Sequence, residues 1–203
     1  MITTSQAKRF ILLFKGKSNT YVKNLLPKEK PSKGEKIKTT ITNEKGKVDD
    51  TLIMRHLSGE FGVGICSVNT EGKCYFGVID IDYYRGRICK VLDFIQEYQL
   101  PILPFRSKSG GLHAYLFLSK AVSAKKMRET LESIVRSFSL DKLYGKEKVE
   151  IFPKQDKVTE DGFGSSITLP YFNADNPYTY LLDFVGNEIP FDDALNYIQK
   201  HNL

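Results

Sequence analysis

The stretch Tyr75-Phe76-Gly77-Val78-Ile79-Asp80-Ile81-Asp82 decides the reading of this chain. It is rich in β-branched and aromatic residues, and Glu71-Gly72 before it is a turn signal, so it is a strand. Side chains alternate faces along a strand, so Asp80 and Asp82 point the same way, about 7 Å apart along the chain. Two carboxylates that close repel each other unless a cation lies between them. Hard oxygen ligands at this spacing suit Mg²⁺ or Mn²⁺. A bare D-x-D reads first as a polar strand end, with one Asp capping the turn into the next helix.

The segments around this strand build an α+β pattern. Downstream, Arg87 to Gln99 is an amphipathic helix with Ile88, Val91, Leu92, Ile95 and Tyr98 on one stripe. Pro101 to Arg106 and Leu112 to Leu118 are strands joined by Ser107-Lys108-Ser109-Gly110-Gly111. Ser123 caps a second helix, with Met127, Leu131, Ile134, Val135 and Phe138 facing inward. Short strands follow near Val149 to Phe152, Ser166 to Leu169 and Thr179 to Leu182, and a last helix starts at Asp192. Upstream, Phe61 to Val68 is β-like. Asp49 or Asp50 caps a helix that Gly59 ends. Ser5 to Phe14 is a helix or a strand end. Asn24 to Lys47 is loop with at most one weak strand, Lys36 to Thr42. Hairpin-like strand pairs mixed with helices predict helices packed on a largely antiparallel sheet.

Composition narrows the function classes. The chain has 203 residues, 41% hydrophobic and 27% charged, an ordinary globular mix for one domain. No stretch approaches the ~20 apolar residues of a membrane span. Phe10 to Phe14 is too short for a secretory signal. Three cysteines, with no CxxC spacing, fit a reducing cytoplasm and speak against structural zinc. The net charge is +6, but between Lys15 and Lys47 ten lysines face only Glu29, Glu35 and Glu44, a local surplus of seven. Such a patch attracts a phosphate backbone, or is a solvated lysine-rich loop.

Three further segments carry candidate chemistry. In Arg106-Ser107-Lys108-Ser109-Gly110-Gly111-Leu112-His113 the adjacent glycines permit close approach of an anion, and serines, a lysine and a histidine supply donors. The same residues also make an ordinary serine/glycine hairpin. Glu150-Ile151-Phe152-Pro153-Lys154-Gln155 offers a third carboxylate, with Lys154 and Gln155 placed to meet phosphate or base. The run Gly162 to Asn173 ends in Tyr171 and Phe172, which stack on a base or fill a core. No nucleophile triad and no His/Cys metal cluster is readable.

Taken in order, these segments resemble the archaeo-eukaryotic primase superfamily, and within it the primase-polymerase domains of phages, mobile elements and TOTE-type conflict systems. The resemblance rests on Val78 to Asp82 (an hDhD pair), Ser109 to His113 (SGGxH) and Glu150 (the later acid). Phe14-Lys15-Gly16-Lys17 with Tyr21, His56-Leu57-Ser58-Gly59 with Gly62 to Cys66, Ile151 to Gln155, and Ile167 to Phe172 extend it over residues 10 to 180. It implies an RRM-like sheet carrying the active site (residues 71–203) beside an N-terminal α/β module with the basic loop (1–70), in one catalytic domain. It implies template-directed nucleotidyl transfer from NTP or dNTP on single-stranded DNA, making or extending primers. Asp80, Asp82 and Glu150 would hold two Mg²⁺ or Mn²⁺ ions. Arg106, Ser107, Lys108, Ser109, Gly110, Gly111, His113 and Lys154 would take the triphosphate. Lys15, Lys17, Lys154, Gln155 and Tyr171 would meet nucleic acid. A helicase or other replication domain is the expected partner, in cis or trans, and the setting a bacterial, archaeal or phage-infected cytoplasm during replication of a phage, plasmid or mobile element. Two departures stand out: Glu150 replaces the more usual Asp, and Gly164-Ser165-Ser166-Ile167-Thr168-Leu169-Pro170 lacks the two amides of G-N-x-I-N-L-P. The competing readings are an inactive RRM-like nucleic-acid-binding module and a metal-dependent nuclease.

Overall fold

The strand that bears Asp80 ends at Ile81, one residue before Asp82. The computed structural model describes residues 2–26, 39–82, 88–108, 110–145 and 148–202. The first helix, α1, spans Thr4–Leu13 and is followed by β1 (Thr20–Leu25), β2 (Thr40–Lys45), α2 (Asp50–Leu57), β3 (Gly62–Cys66) and β4 (Lys73–Ile81). Then come α3 (Cys89–Glu97), β5 (Leu103–Arg106), β6 (Leu112–Ser123), α4 (Ala124–Ser137) and α5 (Leu140–Tyr144). The chain closes with β7 (Val149–Phe152), β8 (Ser166–Thr168), β9 (Tyr180–Leu181) and α6 (Phe191–Lys200).

Two sheets result, and every pairing in them is antiparallel. The larger has the order β7-β4-β6-β5-β9, and the smaller β2-β1-β3-β8. The α+β expectation is met. The pleat of β4 sorts the core. Phe76 and Val78 join Leu103, Phe105, Tyr115 and Phe117 on one face, in a cluster with α1, α2 and α6. Ile79 and Ile81 join Leu112, Ala114 and Leu116 on the other, against α3, α4 and α5. Gly77 lies on that second face because α4 crosses it: a Cβ there would meet Met127 and Leu131 within 3 Å. On the first face Phe14 stands edge-on to Phe76, Tyr115 and Phe117 at centroid distances of 5.3–5.7 Å, a geometry that ring quadrupoles favour.

The helix starts follow local chemistry. Thr3 and Gln6 form a capping box on α1, Asp49 Oδ1 accepts from the Leu52 N–H at 3.0 Å, and Ser123 Oγ accepts from the Lys126 N–H at 3.2 Å. Gly59, at φ +81°, ends the turn after α2. Tyr98, read as part of the buried stripe, is 56% exposed, because it lies at the C-cap of α3, where the stripe leaves the sheet. Strand β1 was not expected. Its Thr-Tyr-Val-Lys-Asn-Leu sequence carries little apolar alternation, and its partner β3 lies about forty residues away, so tertiary pairing decides it. The weak strand near Lys36 to Thr42 starts later, at Thr40; residues 36–38 lie outside the described residues. No helix among the described residues is long and apolar enough to cross a membrane.

Candidate active site

Strand register assembles the site. Asp80 on β4 pairs with Glu150 on β7 to one side and with His113 on β6 to the other. His113 in turn pairs with Phe105 on β5. Directly paired residues share a face of the sheet, so Glu150, Asp80 and His113 form one transverse row, seventy residues of chain drawn to neighbouring positions. The row tops the face whose lower part is the aromatic cluster around Tyr115. Asp82 lies one pleat further along, on the same side, and its N–H donates to the Lys148 carbonyl at 2.8 Å.

The row is graded in burial. The Asp80 and His113 side chains are only 14% and 11% exposed, whereas Glu150 is 49% exposed. His113 Nε2 approaches Asp80 Oδ1 to 3.3 Å, without the alignment of a hydrogen bond, so Asp80 Oδ1 is a buried oxygen lacking one. Native interiors satisfy such atoms, so this inward carboxylate oxygen is left open to a further donor. Lys154 Nζ donates to Glu150 Oε2 at 2.8 Å and lies over the Phe152 ring at 4.8 Å. Among the described residues no three His, Cys, Asp or Glu side chains gather into a finished metal site. The donor set still fits a hard divalent cation: Asp80 and Glu150 are paired across the strands, Asp82 is on the same side, and the exposed part of the Asp80 side chain lies away from its buried Oδ1.

The β5–β6 hairpin stands beside this row. The Ser107 N–H donates to the Gly111 carbonyl and the Gly110 N–H to the Ser107 carbonyl, both at 3.0 Å. The Gly110 amide, expected to face an anion, is therefore used inside the turn. Gly110 has φ +91°, and the Arg106 guanidinium lies against it. Gly111 is required for a different reason: a Cβ would collide with the Ile81 carbonyl oxygen, so glycine lets the hairpin close onto the end of β4. Ser107 is 4% exposed, with its Oγ beside Gly111 and no hydrogen bond. Strand alternation places Phe105, rather than Arg106, in the row with His113. Lys108 is partly buried at the turn. Ser109 lies outside the described residues.

The residues expected to meet nucleic acid divide. Lys15 is exposed, with its ammonium 5.2 Å from the Tyr75 ring centroid. Lys17 is corrected: it is 1% exposed, and its Nζ donates to the carbonyls of Thr159 and Glu160 at 3.0 and 2.7 Å. It braces the strap between β7 and β8 and is out of reach of a polynucleotide. Tyr171 is corrected likewise. It is 1% exposed; its hydroxyl donates to the Ile189 carbonyl at 2.8 Å and accepts from the Leu181 N–H at 3.0 Å. Gln155 is half-buried, with its amide against Gly164. Of the lysine-rich run, Lys28, Lys30, Lys33, Lys36 and Lys38 lie outside the described residues.

His56 holds the frame behind the site. It is fully buried; Nδ1 accepts from the Val63 N–H at 3.0 Å and Nε2 lies 2.8 Å from the Pro170 carbonyl. These partners specify the neutral tautomer with its proton on Nε2. Burial pushes its pKa down to about 4, against a smaller upward pull from the Pro170 carbonyl. Tyr115, two residues on from His113 and so on the same face, has its hydroxyl buried there; the spacing gives the shared face but not the burial.

No curated protein matches the chain. Among solved structures, the polymerase domain from Mycobacterium tuberculosis Ligase D in complex with DNA is similar, with 13% identity over 98% of this chain and 88% of that one and a TM-score of 0.48. The family model described as TOTE conflict system, Archaeo-Eukaryotic Primase domain, matches residues 5–202. With nearly its whole length matched, the chain belongs to the archaeo-eukaryotic primase domain family of TOTE conflict systems.

Proposed function

We propose that this domain is a template-directed nucleotidyltransferase that makes or extends short primers on single-stranded DNA from NTPs or dNTPs. The observation that carries the reading is the register row of Glu150, Asp80 and His113 on three neighbouring strands. Asp80, Asp82 and Glu150 hold the divalent cations, Mg²⁺ or Mn²⁺. When bound, the ions supply activation of the attacking hydroxyl and neutralisation of the leaving pyrophosphate. Glu150, now paired with Lys154, would complete that set, and the Lys154 ammonium would then be available to the triphosphate. His113, held against Asp80, donates to a phosphate oxygen from a floor that excludes most water. Arg106, Ser107, Lys108 and Ser109 line the triphosphate's path at the hairpin. Lys15 and the lysines of the 28–38 run hold the polynucleotide through its phosphates, and Gln155 approaches it from the strap. Residues 1–70 and 71–203 act as two modules of one catalytic domain, since β8 and α6 complete layers begun by the N-terminal residues. A helicase or other replication domain, in cis or trans, supplies the opened template.

The test is primer-free synthesis on single-stranded DNA with labelled NTPs or dNTPs and Mg²⁺ or Mn²⁺, against Asp80→Ala/Asp82→Ala. Short products from the wild type, lost in the double variant, are expected. Products only when a primer is supplied would limit the activity to extension. DNA binding without synthesis under either condition would overturn the reading in favour of a binding module.

A further inference from the structure

Asp80 Oδ1 is not the only buried oxygen without a hydrogen bond in this part of the molecule; Tyr115 Oη is another. Tyr115 is fully buried one pleat below His113 on β6, and it pairs with Val78, so it lies diagonal to Asp80 across the β4–β6 ladder. Diagonal neighbours on one face are within reach of a long aromatic side chain. The ring is fixed by its surroundings: Phe105 and Phe14 meet it edge-on at 4.9 and 5.6 Å, Phe117 stacks on it at 5.5 Å, and the His113 ring is 6.2 Å away. In that cage phenylalanine would pack as well, as it does at 76, 105 and 117, and would avoid burying an unpaired hydroxyl. Burial, and then the nearby charge of Asp80, hold the phenol's pKa above its ordinary value, so the group is a donor at any working pH. Oδ1 of Asp80 is the inward oxygen, so the exposure of that side chain lies elsewhere on it.

We propose that Tyr115 is a positioning residue: its hydroxyl donates, through one ordered water, to the inward Asp80 Oδ1, and so keeps the outward oxygen turned to the cation. The inference rests on the metal-binding reading of Asp80 given above. Groups of this kind that orient a ligating carboxylate commonly change metal affinity by about 10–100-fold when removed.

The test is Mn²⁺ titration followed by electron paramagnetic resonance, without nucleotide or DNA, on the full chain, its Tyr115→Phe variant and its Asp80→Asn variant, together with the melting temperature of each metal-free protein. The expected result is an affinity for Mn²⁺ lowered about tenfold in Tyr115→Phe, with a melting temperature equal to or above that of the wild type. Affinity within twofold of wild type, or affinity that falls only along with the melting temperature, assigns Tyr115 to packing and overturns the inference. If Asp80→Asn abolishes binding and Tyr115→Phe leaves it untouched, Tyr115 alone is removed from the account. If the wild type takes up no Mn²⁺, the metal reading itself fails and this inference with it.

Discussion

Lowering the pH from 7.5 to 4.5 tests the frame that holds the site. His56 is neutral and fully buried between β3 and the Pro170 loop, with a pKa of about 4 against 6.5 for the free side chain. In the interval between those values the unfolded chain binds a proton that the folded chain does not, so stability rises with pH there. It is fully present above about 6.5, is lost as pH falls, and levels off below about 4. The gap corresponds to about 3 kcal/mol in the limit, most of it reached by pH 4.5. That is a large share of the ~5–15 kcal/mol that holds a typical domain folded. Carboxylates held below their ordinary range, Glu60 by Arg55, Asp161 by Lys45 and Asp183 by the Asn187 backbone, are exposed and add their own loss only toward the acid end of this window, in wild type and variant alike. The assay is urea unfolding at several pH values on wild type and on His56→Gln, which cannot titrate. The variant is expected to be about 1–2 kcal/mol less stable at pH 7.5, since the Val63 N–H and Pro170 carbonyl lose their fitted partner. It should be nearly flat between pH 6.5 and 4.5, where the wild type falls. Equal slopes in the two proteins would refute the assignment of the acid sensitivity to His56.

Two further outcomes are expected from the frame. Lys17→Met leaves the carbonyls of Thr159 and Glu160 without their charged donor and should lower stability by about 2–3 kcal/mol in urea unfolding, with DNA affinity measured in the folded range unchanged. Gly111→Ala drives a Cβ into the Ile81 carbonyl, pushes the hairpin off the end of β4, and should cost about 1–3 kcal/mol in thermal or urea unfolding.

Much of the site was legible before the fold. Period-two alternation in Tyr75 to Asp82 is enough to place Asp80 and Asp82 on one side, because the pleat is a local property of the backbone. The caps at Asp49 and Ser123 are local too: a side-chain oxygen satisfies an amide three residues on. The hairpin joining β5 to β6 is signalled by its own turn residues. In each case the interaction closes within a few residues, so the sequence carries all of it.

Neighbours across the sheet are another matter. Glu150 stands beside Asp80 only because β7 returns, seventy residues later, to the open edge of β4 in one register; a slip of one residue would turn Glu150 to the other face. The same holds for what is hidden. The sequence presents Lys17 as one more lysine in a basic run and Tyr171 as an aromatic free to stack. The carbonyls that capture Lys17 come from residues 159 and 160, and the partners of Tyr171 come from 181 and 189. The chain alone determined the chemistry available and the pleat that aligns it. Tertiary packing decided which groups meet, because burial and strand register are set by contacts far apart in sequence, and no local pattern records them.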